Sequence, residues 1–353
     1  MKKSFITLLL LMVLAALLAG CAGTPVIYYS NCTCPTGGHT QTTTPSTPAP
    51  TEGALKTGLA ILTSVKGSEN AKHADYDVTL AAVLVDDTGV IRDCIIDSIG
   101  TKITFDATGT VTADLTAQIL TKNELGDDYG MKQYAGSKYE WYEQAAALAS
   151  YAVGKTVQQL KDGAVDESGK APQGTDLATT ATIYLGSYVQ AIEAAAVNAQ
   201  HLGAQAGDTL KLAAISSIGG SASATAEKAG TAQLDCDVTA LTVRDGKITS
   251  CYIDSLQAKV SFDATGTITT DLTAPVQTKN QLGDKYGMVA WGGAIAEWNQ
   301  QAASFAAYVT GKTAAEVEGI AVSEGKPADT DLSTSVTIAI GGFQKLIGKA
   351  MGK

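Results

Sequence analysis

Two seven-residue segments carry the hydroxyl groups best placed for chemistry in this chain. One reads Asp176-Leu177-Ala178-Thr179-Thr180-Ala181-Thr182, the other Asp331-Leu332-Ser333-Thr334-Ser335-Val336-Thr337. By residue type alone each is a capped helix start, with Asp as N-cap and threonines filling the first turn. A second pair of elements reads Leu125-Gly126-Asp127-Asp128-Tyr129-Gly130-Met131 and Leu282-Gly283-Asp284-Lys285-Tyr286-Gly287-Met288. Two glycines in so short a run allow a ligand to approach the backbone, and Tyr129 or Tyr286 offers a flat face for stacking. The plainer alternative is a structural turn leading into a helix, and Trp141 and Trp298 read as core anchors of that helix.

Other site types are excluded by residue type. The chain has three histidines, His39, His73 and His201, and neither of the last two recurs in the other copy of the repeat described below. A duplicated Ser-His-Asp or Cys-His site is therefore absent, and a histidine zinc site has no basis. No glycine fingerprint for phosphate follows a strand. Cys94 and Cys251 sit in apolar runs and read as small buried hydrophobes. Cys32-Thr33-Cys34 has no further ligand at metal spacing.

The elements that position these groups come twice. Phe105-Asp106-Ala107-Thr108-Gly109-Thr110 recurs as Phe262-Asp263-Ala264-Thr265-Gly266-Thr267, and roughly 20 of 27 positions agree from Phe105 to Met131 and their counterparts. Trp141 pairs with Trp298, and Gly154-Lys155-Thr156 with Gly311-Lys312-Thr313. Each copy spans about 145 residues, an ordinary domain size. Residues 77–85 and 90–99 are apolar and β-branched around Asp86-Asp87-Thr88-Gly89, and the second copy shortens this turn to Arg244-Asp245-Gly246-Lys247, a hairpin signal. Short strands are expected near residues 102–105 and 111–114. Trp141, Ala145, Leu148, Ala149 and Ala152 then recur at helical spacing, with Gly154 as the stop. Thr156 and Thr313 open capping boxes. One last helix is expected from Asp176 or Asp331 to the end of each copy. Strands followed by helices predict an α+β fold in two tandem repeats, each a small antiparallel sheet followed by helices, over residues 56–200 and 208–353.

The N-terminus gives an address. Lys2 and Lys3 precede an apolar run over residues 5–18, too short for a comfortable membrane span and suited to a cleaved signal over residues 1–20. Leu18-Ala19-Gly20-Cys21 matches the bacterial lipobox, which implies lipidation at Cys21 and attachment to the cell membrane on its outer face. Residues 21–55, rich in Thr, Pro and Ser, read as a disordered tether. A formal net charge of -10 gives no electrostatic case for nucleic acid.

The pattern of Asp, Ser or Thr three residues on, a small residue and Thr at the seventh position resembles the flavinylation motif of the FMN-binding domain family. The strand, Asp-Gly-Lys turn and strand around Asp245-Gly246-Lys247 is similar to that family's opening hairpin. The two-domain layout, with Leu-Gly-Asp-x-Tyr-Gly-Met and a Trp-containing helix, most resembles the flavinylated, pheromone-encoding lipoproteins of Gram-positive bacteria. The resemblance implies FMN, donated from FAD by a flavin transferase, in phosphoester linkage to Thr182 and Thr337. Asp176, Thr179, Asp331 and Thr334 complete the motif. Thr180 and Ser335 stand where many members carry Gly, and Val336 where Ala is usual, which adds bulk beside the second acceptor.

The function so implied is an extracellular electron carrier, rather than an enzyme with its own substrate. It would take electrons from a quinone-linked membrane donor and pass them to an extracellular acceptor. The alternatives are a surface-binding lipoprotein without flavin, non-covalent flavin, and, as an addition, release of the signal-peptide tail as a pheromone.

Overall fold

The computed structural model describes residues 53–353. The signal segment, Cys21, Cys32, Cys34, His39 and all of the tether before Gly53 lie outside the described residues.

Each copy opens with three antiparallel strands. In the first, β1 (Lys56–Ser64), β2 (His73–Val85) and β3 (Ile91–Thr104) lie in the order β1-β2-β3; in the second, β4 (Thr209–Ser217), β5 (Gly230–Arg244) and β6 (Lys247–Phe262) repeat it. The anticipated hairpins are β2–β3 and β5–β6. The latter turns on Asp245 and Gly246, both at positive φ, as a tight two-residue connection requires. Two expectations need correction. Residues 102–104 continue β3 instead of forming a new strand, and residues 111–114 make only an isolated bridge between Phe105 and Val111. The strand β1 had no separate sequence signal. The small β7 (Val322–Ser323) and β8 (Lys326–Pro327) pair in the second copy alone.

Helices follow in each copy. The first copy has α1 (Lys122–Leu125), a 3-10 turn (Gly126–Tyr129), α2 (Met131–Ala135), α3 (Trp141–Ala152), α4 (Val157–Ala164), α5 (Asp176–Thr180) and α6 (Gly186–Val197). The second repeats them as α7 (Lys279–Leu282), a 3-10 turn (Gly283–Tyr286), α8 (Met288–Gly292), α9 (Trp298–Val309), α10 (Ala314–Glu318), α11 (Thr330–Ser333) and α12 (Gly341–Ala350). The capping boxes of Thr156 with Gln159 and Thr313 with Glu316 form as the sequence indicates. The expected single last helix is instead two helices in each copy, α5 and α6 or α11 and α12, with the irregular stretch between them holding Thr182 or Thr337.

Why the strands read as nearly unbroken apolar runs is clear from the layers. Along β2, Tyr76, Val78, Leu80, Ala82 and Leu84 enter one core, while Ala81, Val83 and Val85 enter another. The first core lies between the two sheets and takes its side chains from both copies. The other cores lie between each sheet and its own helices. The order is helix, sheet, sheet, helix, so the strands have no wet face to mark with polar residues.

The repeated Phe-Asp-Ala-Thr-Gly-Thr run sits where the copies meet. Phe105 and Phe262 stack with centroids 4.0 Å apart and planes 2° from parallel. Gly109 and Gly266, both at positive φ, lie so close to the opposite loop that a Cβ on Gly266 would overlap the Asp106 carbonyl. Ala71 donates its N–H to Gly266 O and Ala224 donates to Gly109 O, each at 2.7 Å. Tyr76 also donates its phenol to Ala232 O at 2.6 Å.

Candidate functional site

The site is organised by one end of α3, and identically by α9. Glu140 precedes α3 as its N-cap, and its buried carboxylate accepts N–H bonds from Met131 at 2.8 Å and Lys132 at 2.9 Å. Glu297 does the same for Met288 (2.8 Å) and Val289 (2.9 Å). The Leu-Gly-Asp-x-Tyr-Gly-Met loop is thereby fixed by its last residue to the start of the main helix. One turn further along lies Gln144, fully buried. Its Oε1 accepts from Thr182 N (2.8 Å), Thr182 Oγ1 (3.1 Å) and Ile183 N (3.2 Å). In the second copy Gln301 Oε1 accepts from Thr337 N (2.7 Å), Thr337 Oγ1 (3.2 Å) and Ile338 N (3.2 Å).

The other end of the same amide reaches the loop side. Gln144 Nε2 donates to Tyr139 O at 3.0 Å and Ser137 Oγ at 3.3 Å, and lies 3.8 Å from Met131 Sδ. Gln301 Nε2 donates to Ala296 O at 2.7 Å. One side-chain amide thus ties the threonine segment to the stretch between the glycine-tyrosine loop and the main helix, and in the first copy also reaches the loop's Met131. A buried amide satisfied at both ends is stiff, because each bond lost would leave a polar group without water.

Thr182 is exposed and Thr337 half-buried. Both precede a helix with no side-chain cap, α6 behind Leu185 and α12 behind Ile340. The motif aspartates stand elsewhere than a capped start requires. Thr175 caps α5, through Ala178 N, and Asp329 caps α11, through Asp331 N and Leu332 N. Asp176 and Asp331 are exposed residues of the first turn. Their carbonyls accept the hydroxyls of Thr179 and Thr334, each at 2.7 Å.

Within the loop, Gly126 and Gly283 begin the 3-10 turns, and Asp127 accepts the phenol of Tyr142 at 3.2 Å. Lys122 Nζ lies 5.1 Å from the Tyr129 ring centroid and 5.3 Å from that of Trp141; Lys279 lies 5.3 Å from Tyr286 and 4.9 Å from Trp298. These distances are those of cation–π contacts, so the tyrosines, although partly exposed, each already have a partner. The tryptophans are core anchors. Trp141 is buried and donates its indole N–H to Tyr188 at 3.0 Å, and Trp298 packs edge-on to Phe343.

Beneath the loop, Asp97 and Asp254 are buried carboxyls at the ends of α1 and α7. Asp97 accepts from Ser98 N and Asn123 N, and Asp254 from Ser255 N and Asn280 N. Burial pushes both up, Asp254 to about 6. Cys94 and Cys251 lie under the helices, and burial pushes the Cys251 thiol up to about 12, consistent with inert packing residues.

Gln144, Gln301, Glu140, Glu297, Lys122 and Lys279 were not singled out in the sequence. One signal could have found four of them. Glu140-Trp141 and Gln144 recur as Glu297-Trp298 and Gln301, so a carboxylate and an amide four residues apart share one face of an otherwise apolar helix in both copies. Among the described residues no group of His, Cys, Asp and Glu is arranged to hold a metal, and no helix is long and apolar enough to cross a membrane. Comparison with protein-family models, curated proteins and solved structures finds no match for this chain.

Proposed function

We propose that Thr182 and Thr337 are acceptors for covalent FMN and that the chain is an electron carrier held outside the cell membrane through Cys21. The observation that carries this reading is the glutamine bridge. In both copies a buried amide accepts one threonine hydroxyl at a break between helices, the first on an exposed residue and the second on a half-buried one. A structural helix start needs no such break, and the same break recurs at both threonines that the sequence motif marks.

The residues present suit the group. The first amides of α6 and α12, left without a side-chain cap, favour the phosphodiester anion that the linkage would leave. In the transfer itself the threonine oxygen forms a bond to the FMN phosphorus of FAD, the pyrophosphate P–O bond breaks and AMP leaves. The hydroxyl proton passes to a base of the external transferase, since a glutamine oxygen holds the hydroxyl without taking its proton. This chain contributes position: Gln144 and Gln301 set the direction of the hydroxyl, and the break leaves room for the transferase. The bound flavin would supply reversible electron uptake. A quinone-linked membrane donor and an extracellular acceptor are what the family resemblance implies, and belong to the same proposal.

The test is co-expression of the full chain with a flavin transferase active on another acceptor, followed by intact mass after denaturation and peptide mapping. Two FMN additions, on the peptides containing Thr182 and Thr337, are expected. An unmodified mass would contradict the proposal and favour a surface-binding lipoprotein without flavin.

A further inference from the structure

Among the described residues aromatic side chains are mostly buried or partnered, the 68% exposed Tyr184 by Lys170 at 5.0 Å from its ring centroid, and two are not. Tyr134 in α2 is 78% exposed and Trp291 in α8 is 83% exposed. They occupy the same position of the repeat, three residues after Met131 and Met288. In each copy the ring lies against the glycine that ends the 3-10 turn: a Cβ on Gly130 would overlap the Tyr134 ring, and one on Gly287 the Trp291 ring. Each ring thus packs closely against a left-handed glycine while most of its surface stays open to solvent. A large aromatic held against the backbone and left uncovered at equivalent sites of both copies is suited to a planar ligand.

We propose that Tyr134 and Trp291 cover the isoalloxazine rings of the flavins on Thr182 and Thr337; this rests on the flavin reading above. The geometry selects them over Tyr129 and Tyr286, whose rings are already engaged by Lys122 and Lys279. The segments that follow α2 and α8 are also joined to the attachment points. α2 leads directly into Ser137 and Tyr139, which share the amide of Gln144 with Thr182. One side-chain amide therefore joins Thr182 to the segment that directly follows Tyr134 and its helix. In the second copy Gln301 joins Ala296 to Thr337 in the same way. The exposed Val289 and Ile295 flank Trp291 and extend the apolar surface.

The second copy gives a direct optical test, because Trp291 is the exposed member of the chain's three tryptophans, Trp141 and Trp298 being buried. The full-length T182V chain, loaded at Thr337 alone by a transferase, is compared with its W291A and W291F versions by intact mass, flavin emission and acrylamide-accessible tryptophan emission. Loading is expected to remove the accessible tryptophan component. W291A is expected to raise flavin emission per bound flavin by about two-fold or more, with W291F intermediate. Bound flavin whose emission and absorption are unchanged in W291A, with Trp291 still accessible to acrylamide, would overturn the stacking while leaving the flavin reading intact. Absence of any mass addition, with the transferase active on another acceptor, would overturn both.

Discussion

At the scale of single residues, the buried glutamines bear the most on the site. Gln144 Oε1 receives three donors from the Thr182 turn, so Q144L would leave two backbone N–H groups and a hydroxyl without their acceptor. A loss of about 2–4 kcal/mol in stability is expected from urea unfolding. Flavin loading at Thr182 should fall at least about ten-fold while Thr337 still loads, read by peptide mass. Equal loading of both threonines in Q144L would show that the bridge does not present the hydroxyl.

Asp254 gives a pH prediction. Its folded carboxyl titrates at about 6, above the unfolded value near 3.9, because burial disfavours the charged form. Between those values the folded state holds the extra proton. The associated stability is therefore complete below about pH 4 and is lost as pH rises through 6. The loss is on the order of 2–3 kcal/mol. Asp97 shifts in the same direction for the same reason. Carboxylates held low by local hydrogen bonds, such as Asp106 and Asp263, act below that window and with the opposite sign. Melting temperature should fall from pH 4 to 6, and D254N should flatten that slope; an unchanged slope would contradict the assignment.

At the scale of elements, what the sequence revealed depended on whether a signal was local. The hairpin turn at Asp245-Gly246, the capping boxes at Thr156 and Thr313 and the start of α3 at Trp141 all depend on neighbouring residues, and all are legible. The break at Thr182 is not local. Its backbone N–H groups find their acceptor 38 residues back in Gln144, so periodicity around Asp176 suggests one continuous helix. The N-caps were displaced for a local reason: Thr175 and Asp329 lie just before the motif and take the first amides in place of Asp176 and Asp331. Of the candidate site, the threonines and the loop were readable from repetition; the glutamine and glutamate recur as well, but their partners lie in other segments, so their role became evident only in the folded chain.

At the scale of the whole described fold, the copies share a core instead of standing apart. Leu234, Val238 and Val260 of the second sheet and Val78, Leu80 and Ile99 of the first belong to one buried cluster. That explains why Phe105 and Phe262, far from the threonines, lie in one of the most closely repeated runs of the chain: each contacts its own counterpart. F262A removes half of the central stack and is expected to cost about 3–5 kcal/mol. Because the core is shared, both copies should unfold in a single denaturant transition that shifts as a whole in F262A. Two separated transitions would show that the copies fold independently. The same packing puts the helices, and with them Thr182 and Thr337, on the outer sides of the two sheets, away from the shared core.

The central claim is that two named hydroxyls carry the flavin. It is tested most directly by the covalently bound flavin remaining after denaturation in the full chain and in T182V, T337V and the double variant, each co-expressed with the transferase. Two flavins in the parent chain, one in each single variant and none in the double variant are expected. Covalent flavin persisting in the double variant, or a parent chain that stays colourless beside an active transferase, would contradict it.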